Sequence, residues 1–211
     1  MIINGPSFAV SNNIDNLIIL LHGRGATGDN IISIAPVMSK ILPKSQFIAP
    51  NAHINYNMGY AWFSSSYLQE DIIFNEMKKS AEIVNNFIDE QLKKLKLSDN
   101  KLSLIGFSQG AMLAMHVALC RKLCASVVSY SGAILCPNLL KHEIIARPNM
   151  CIIHGNEDYV VPFIHFNNCM AFLTNNNVPA KYHEIKGLDH SISTECIIVG
   201  AEFIKSCISH L

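Results

Sequence analysis

The 211-residue chain predicts an α/β protein, a single domain over residues 1–211 with a mostly parallel central sheet and helices on both faces. Three observations predict it. Short runs rich in Leu, Ile and Val alternate along the chain with longer amphipathic segments. The short runs are apolar at nearly every position, as strands covered on both faces must be. Half of the residues are hydrophobic and only 15% are charged, which supplies a sizeable core.

Strands are expected at 17–21, 46–49, 102–105, 126–129, 150–153 and 181–185. Helices are expected at 29–41, 71–95, 109–123, 162–175 and 193–209. In the second helix Ile72, Met77, Ala81, Val84, Ile88 and Leu92 roughly follow a 3.6-residue period. Pro162 suits a first helical turn. The stretch 51–70 fits neither template. It carries Tyr56, Tyr60, Trp62, Phe63 and Tyr67, and a long aromatic loop in a compact domain is either functional or packed on the core.

Composition excludes several classes. The 16 basic and 16 acidic side chains balance, so no global positive field exists to hold nucleic acid. No apolar run approaches the ~20 residues of a membrane span, so no stable membrane insertion is expected. The first residues lack a basic segment followed by a long apolar one, so no secretory signal is expected. Seven cysteines, an odd number without framework spacing, read as reduced thiols in a cytoplasmic protein. His116, Cys120 and Cys124 fall at i, i+4 and i+8 of the expected 109–123 helix and could share a face. Nothing else resembles a metal motif, so they read as core side chains and no metal is expected.

The segment from Leu102 to Ala111 carries the chemistry. An apolar strand runs into Gly106-Phe107-Ser108-Gln109-Gly110 and a helix follows, the context that makes Gly-x-Ser-x-Gly a nucleophile elbow. Such a turn exposes the Ser108 hydroxyl at a helix N-terminus, where backbone N–H groups favour developing negative charge. The other reading is an ordinary tight turn. A serine hydroxyl is a weak nucleophile and needs a base, and the base needs an orienting acid. In this chain order the acid comes next and the histidine last. After the strand at 150–153, His154-Gly155-Asn156-Glu157-Asp158 offers the acid, with Asp158 preferred to Glu157. After the strand at 181–185, Gly187-Leu188-Asp189-His190 offers the base. His183 lies inside a strand and His154 at a strand end, where structural roles are expected.

The third block is His22-Gly23-Arg24-Gly25 after the first strand. A tetrahedral oxyanion needs two aimed donors. The backbone N–H of Gln109 should be one and that of Arg24 the other. A phosphate-binding loop is the competing reading, but the spacing lacks Gly-x-Gly-x-x-Gly and a Gly-Lys-Ser/Thr ending.

Taken together, these pieces resemble the phospholipase/carboxylesterase family, small serine esterases that include acyl-protein thioesterases. The matching segments also include Ala49-Pro50-Asn51-Ala52, Ala61-Trp62-Phe63, Ser129-Tyr130-Ser131-Gly132, Asp158-x-Val160-Val161-Pro162 and His190-Ser191, in order along nearly the whole chain. The resemblance implies an α/β-hydrolase fold without a large lid domain and no cofactor. It implies hydrolysis of carboxylic esters, with thioesters and lysophospholipids within reach. It also implies a Ser108-Asp158-His190 triad with Arg24 and Gln109 as oxyanion donors. Arg24 and Trp62 are the expected substrate-contacting residues. Many members carry Leu-Gly-Asp after His-Gly, where Arg24-Gly25-Ala26 stands here. Backbone donation survives that change, whereas substrate choice need not. The expected partner is a small ester or thioester, and a homodimer is left open. The rivals are a non-catalytic binding module of the same fold and a serine peptidase. Filled triad positions argue against the first, and parallel assays on esters, thioesters and peptides separate the second.

Overall fold

The computed structural model describes residues 3–64 and 69–208. In chain order the elements are β1 (Ser7–Phe8), β2 (Asn16–Leu21), α1 (Gly28–Ile32), α2 (Ala35–Met38), β3 (Ser45–Ile48), β4 (Ile54–Tyr56), β5 (Gly59–Ala61) and α3 (Glu70–Leu95). They continue with β6 (Leu102–Phe107), α4 (Gln109–Cys120), β7 (Ser126–Tyr130), α5 (Pro137–Leu140), β8 (Asn149–Gly155), α6 (Ile164–Asn175), β9 (Ala180–Ile185) and α7 (Thr194–Ile208). All six predicted strands are present. They form a sheet of order β1-β3-β2-β6-β7-β8-β9, parallel throughout except for β1, which pairs antiparallel with β3 at the edge.

Strand alternation sorts the side chains between two layers. Leu17, Ile19 and Leu21 of β2 pack with Leu104, Val127 and Ile152 beneath α3, α4 and α6. Ile18 and Leu20 face the other way and join Phe47, Ile105, Val128 and Ile153 beneath α1, α2 and α7. Every residue of β2 is buried, which is why it reads as an unbroken apolar run. Burial of each such Leu or Ile side chain contributes about 1.5–3 kcal/mol.

Four expectations are corrected. The single helix at 29–41 is two short ones. Pro36 has no N–H to donate to the preceding turn, so α1 stops at Ile32 and α2 restarts with Pro36 at its second position. The helix at 109–123 ends at Cys120, where Arg121 turns extended and its guanidinium bonds Asn85, Asp89 and Asp99. Cys124 therefore leaves the helix and sits beside β7, its thiol 3.2 Å from the Ser126 carbonyl, so the shared His116/Cys120/Cys124 face does not form. Within 51–70, β4 and β5 form a hairpin turning at Asn57 and Met58, with Asn57 at φ 52°. Tyr67 lies outside the described residues. α6 starts at Ile164, so Pro162 lies just ahead of the helix rather than in its first turn. Among the described residues no helix is long and apolar enough to cross a membrane.

Candidate active site

β6 ends at Phe107, and Ser108 turns directly into α4 with φ 53° and ψ −119°. A non-glycine residue with positive φ is strained, and here the strain holds the hydroxyl-bearing residue proud of the sheet. The glycines on either side permit the turn through close approach rather than unusual dihedrals. A Cβ on Gly106 would lie 2.3 Å from the Gly110 carbonyl oxygen, and one on Gly110 would lie 2.0 Å from that of Leu21. The Ser108 N–H donates to the Tyr130 carbonyl at 2.9 Å, tying the elbow to β7.

Register brings the other two predicted residues to the same sheet edge. β8 and β9 are parallel neighbours, with Gly155 opposite Ile185, so the loops after them meet. His190 Nδ1 donates to Asp158 Oδ2 at 2.7 Å. The other carboxylate oxygen accepts the N–H groups of Val160 at 2.9 Å and Val161 at 2.8 Å. Burial by itself raises the Asp158 carboxyl. The His190 hydrogen bond, the Val161 N–H, the His190 charge and the Val160 N–H together outweigh it, and the pKa falls below the usual carboxylate value. Glu157 and Asp189 are exposed, and Asp189 accepts instead from the Ser191 hydroxyl. The Phe107 ring lies against the His190 ring, with centroids 4.8 Å apart, so the imidazole packs on the residue just before Ser108. No hydrogen bond joins the Ser108 hydroxyl to His190 among the described residues.

The β2–α1 turn runs alongside the elbow. A Cβ on Gly23 would lie 3.4 Å from that of Ser108. The backbone N–H groups of Arg24 and Gln109 have no protein partner among the described residues, whereas the neighbouring Gly25 and Ala26 N–H groups bond Tyr60 and Gly23. The β4–β5 hairpin braces this turn: the Tyr60 N–H returns to the Ala26 carbonyl at 3.0 Å. Gly59 allows the contact, because a Cβ there would lie 2.4 Å from the Gly25 oxygen. The Arg24 guanidinium is exposed and stands over the Tyr56 ring, 4.2 Å from its centroid.

Several participants were not legible beforehand. The Gln109 side chain accepts the Trp62 N–H at 2.8 Å and donates to the Phe63 carbonyl at 2.7 Å, pinning the aromatic segment to the elbow. Trp62, a candidate substrate contact, lies against the β2–α1 turn. Its side chain is wholly buried, and its indole N–H donates to the His22 carbonyl at 2.9 Å, so it braces the β2–α1 turn from below. His22 accepts the Ala52 N–H on Nε2, which leaves Nδ1 to donate to the Gly23 carbonyl. Burial lowers its pKa and keeps that neutral tautomer. His154 is structural, as expected: its Nε2 donates to the Val161 carbonyl at 2.8 Å and approaches Asp158 Oδ2 at 3.4 Å. The only sequence signal for these roles was proximity to the motifs.

Sequence and structure comparisons place the chain among known proteins. An acyl-protein thioesterase 1 homolog from Dictyostelium discoideum is 26% identical over 203 residues, covering 89% of this chain and 88% of that one. The crystal structure of esterase PE8 superposes with a TM-score of 0.91 at 28% identity, covering 98% of this chain and all of that one. Zea mays acyl-protein thioesterase 2 shares the fold, with a TM-score of 0.78 at 23% identity over 97% of this chain and 99% of its own. The phospholipase/carboxylesterase profile matches residues 9–208, nearly the whole length, and the chain belongs to that family of α/β hydrolases.

Proposed function

We propose that this hydrolase cleaves carboxylic esters or thioesters through Ser108, His190 and Asp158 and a covalent acyl-enzyme. The observation that carries the reading is the Asp158–His190 hydrogen bond, set beside a serine held at positive φ at the head of α4. His190 takes the Ser108 proton as Oγ bonds to the acyl carbon. The N–H groups of Arg24 and Gln109 hold the oxyanion. As the tetrahedral adduct collapses, the bond to the alcohol or thiol breaks and His190 returns the proton to it. Water then attacks the acyl-enzyme by the same steps and frees the acid. Asp158 fixes the imidazole tautomer and stabilises the imidazolium.

The Arg24 side chain adds selectivity. Its guanidinium is exposed beside those donors, oriented by Tyr56 and without a carboxylate partner among the described residues. It is placed to pair with an anionic group on the acyl portion. All seven cysteines are free thiols, which suits a cytoplasmic setting. A fluorophosphonate probe tests the reading: it should label Ser108 alone, and labelling of another serine would overturn it. Assays on aryl esters, acyl thioesters and peptides then rank the substrate classes.

A further inference from the structure

A cleft of about 300 Å³ opens between the β2–α1 turn, α1 and the loop carrying His190. Its volume lies at the small end of ligand cavities, about 300–1,000 Å³. Its walls are chiefly Ile31, Ile34, Phe107 and Ile192, and His190 lines it as well. We infer that this cleft receives the leaving group of the ester, a compact, neutral, apolar alcohol or thiol. The inference rests on the triad reading above.

Geometry separates the two halves of the substrate. The leaving oxygen or sulfur must come within hydrogen-bond reach of the imidazole that protonates it, about 2.6–3.2 Å. Nδ1 of His190 is taken by Asp158, so the proton leaves from Nε2. A cavity lined by His190 is where that atom departs. The acyl carbon, by contrast, is bonded to Ser108, with its oxygen at Gln109 and Arg24. None of these three lines the cleft.

The wall chemistry names the class. No Lys, Arg, Asp or Glu borders the cavity. Most of its polar side chains are already engaged. Asn30 Oδ1 accepts from the Thr27 N–H and hydroxyl, the Ser33 hydroxyl donates to the Asn30 carbonyl, and that of Ser191 donates to Asp189. Both His22 ring nitrogens are taken as well. A charged headgroup would lose hydration here and gain no counter-charge, whereas an alkyl or aryl group loses nothing. The charged Arg24 thus serves the acyl half and the apolar cleft the leaving half. The step balances: the Ser108 Oγ–carbon bond forms, the carbon–oxygen or carbon–sulfur bond breaks, and the serine proton passes through His190 to the departing atom.

The test uses two ester series on the intact protein. One holds the acyl group at acetyl and enlarges the alcohol from ethyl to phenyl to naphthyl. The other holds the alcohol at ethyl and lengthens the acyl chain. Ser33 is exposed at the rim, so Ser33→Trp obstructs the cleft without touching the core. Ile192→Ala widens it. Ser33→Trp should lower kcat/KM for the aryl acetates by roughly 10- to 100-fold and leave the ethyl esters of longer acids unchanged. Ile192→Ala should shift preference toward naphthyl acetate. Circular dichroism and fluorophosphonate labelling of Ser108, read on both variants, report an intact fold and nucleophile. Losses that track acyl length instead would overturn the cleft assignment and leave the triad standing. Ester hydrolysis that persists in Ser108→Ala would overturn both.

Discussion

Two regions of this protein each carry a histidine, and they differ in what surrounds the imidazole. At the carboxyl edge of the sheet, His190 is anchored by Asp158 and keeps a partly open ring packed on Phe107, the residue before Ser108. On α4, His116 is 2% exposed, meets the Phe74 ring edge-on, and has no partner for Nδ1 among the described residues. Burial pushes the His116 pKa down to about 4 and pushes the thiols of Cys120 and Cys124 up to about 11 and about 12. The thiolate is the reactive form, so those cysteines are inert at neutral pH. The same residue types make a site in one place and a packed layer in the other. The difference is a buried carboxylate that itself accepts two backbone N–H groups.

The largest effect that sharpens this comparison is on Ser108. Ser108→Ala should cost on the order of 10⁴–10⁶ in kcat toward aryl esters, leaving the residual contribution of the oxyanion donors. An unchanged circular dichroism spectrum would show that the fold survives. Full turnover in that folded variant would remove the distinction between the two regions.

Asp158→Asn comes next, at about 10²–10⁴ in kcat. Glu157→Gln and Asp189→Asn should stay within a few-fold, because both residues are exposed and Asp189 accepts from the Ser191 hydroxyl instead. Steady-state kinetics on the three variants decides which carboxylate holds the base, and greater damage from Asp189→Asn would refute the assignment.

Arg24→Leu keeps the backbone donor and removes the guanidinium from Tyr56. It should leave kcat for neutral short esters unchanged. For esters with a carboxylate on the acyl side, kcat/KM should fall by roughly 1.5–3 kcal/mol, the worth of a charged hydrogen bond. Equal losses on both substrate sets would mean that the side chain only supports the turn.

His116 should act on stability alone. Its folded pKa, about 4, lies below the ordinary 6.5, so the unfolded chain binds more protons between those values. The stabilisation is complete above pH 6.5 and is lost as pH falls through that window. Wild type should therefore lose about 2 kcal/mol between pH 7 and pH 5 from this group, and His116→Phe should lose correspondingly less. Urea unfolding at the two pH values measures it. The smallest effect belongs to Cys120→Ser, which should leave ester turnover at wild-type level. A large loss would mean that the α4 thiol takes part in the chemistry.

Local pattern alone settled the strands and the strand–turn–helix context of Ser108. A buried parallel strand must be apolar on both faces, as β2 is. A strand-to-helix turn that carries an exposed serine needs small neighbours on either side of it, and Gly106 and Gly110 stand there. Pro36 was also visible, yet the helix it interrupts read as continuous because the apolar period runs on through it. Tertiary structure decided the rest. Asp158 and His190 are 32 residues apart, and they meet because β8 and β9 pair in parallel register. Trp62 looks like a binding-site aromatic in sequence. It became a buried brace because Gln109, 47 residues later, captures its backbone. The hairpin under Arg24 belongs to the same class, since Tyr56 and Tyr60 find their partners across a turn some 30 residues upstream. Periodicity reports which face of an element is covered. It carries no information about which distant element does the covering, and at this site the hydrogen bonds between such elements aim the chemistry.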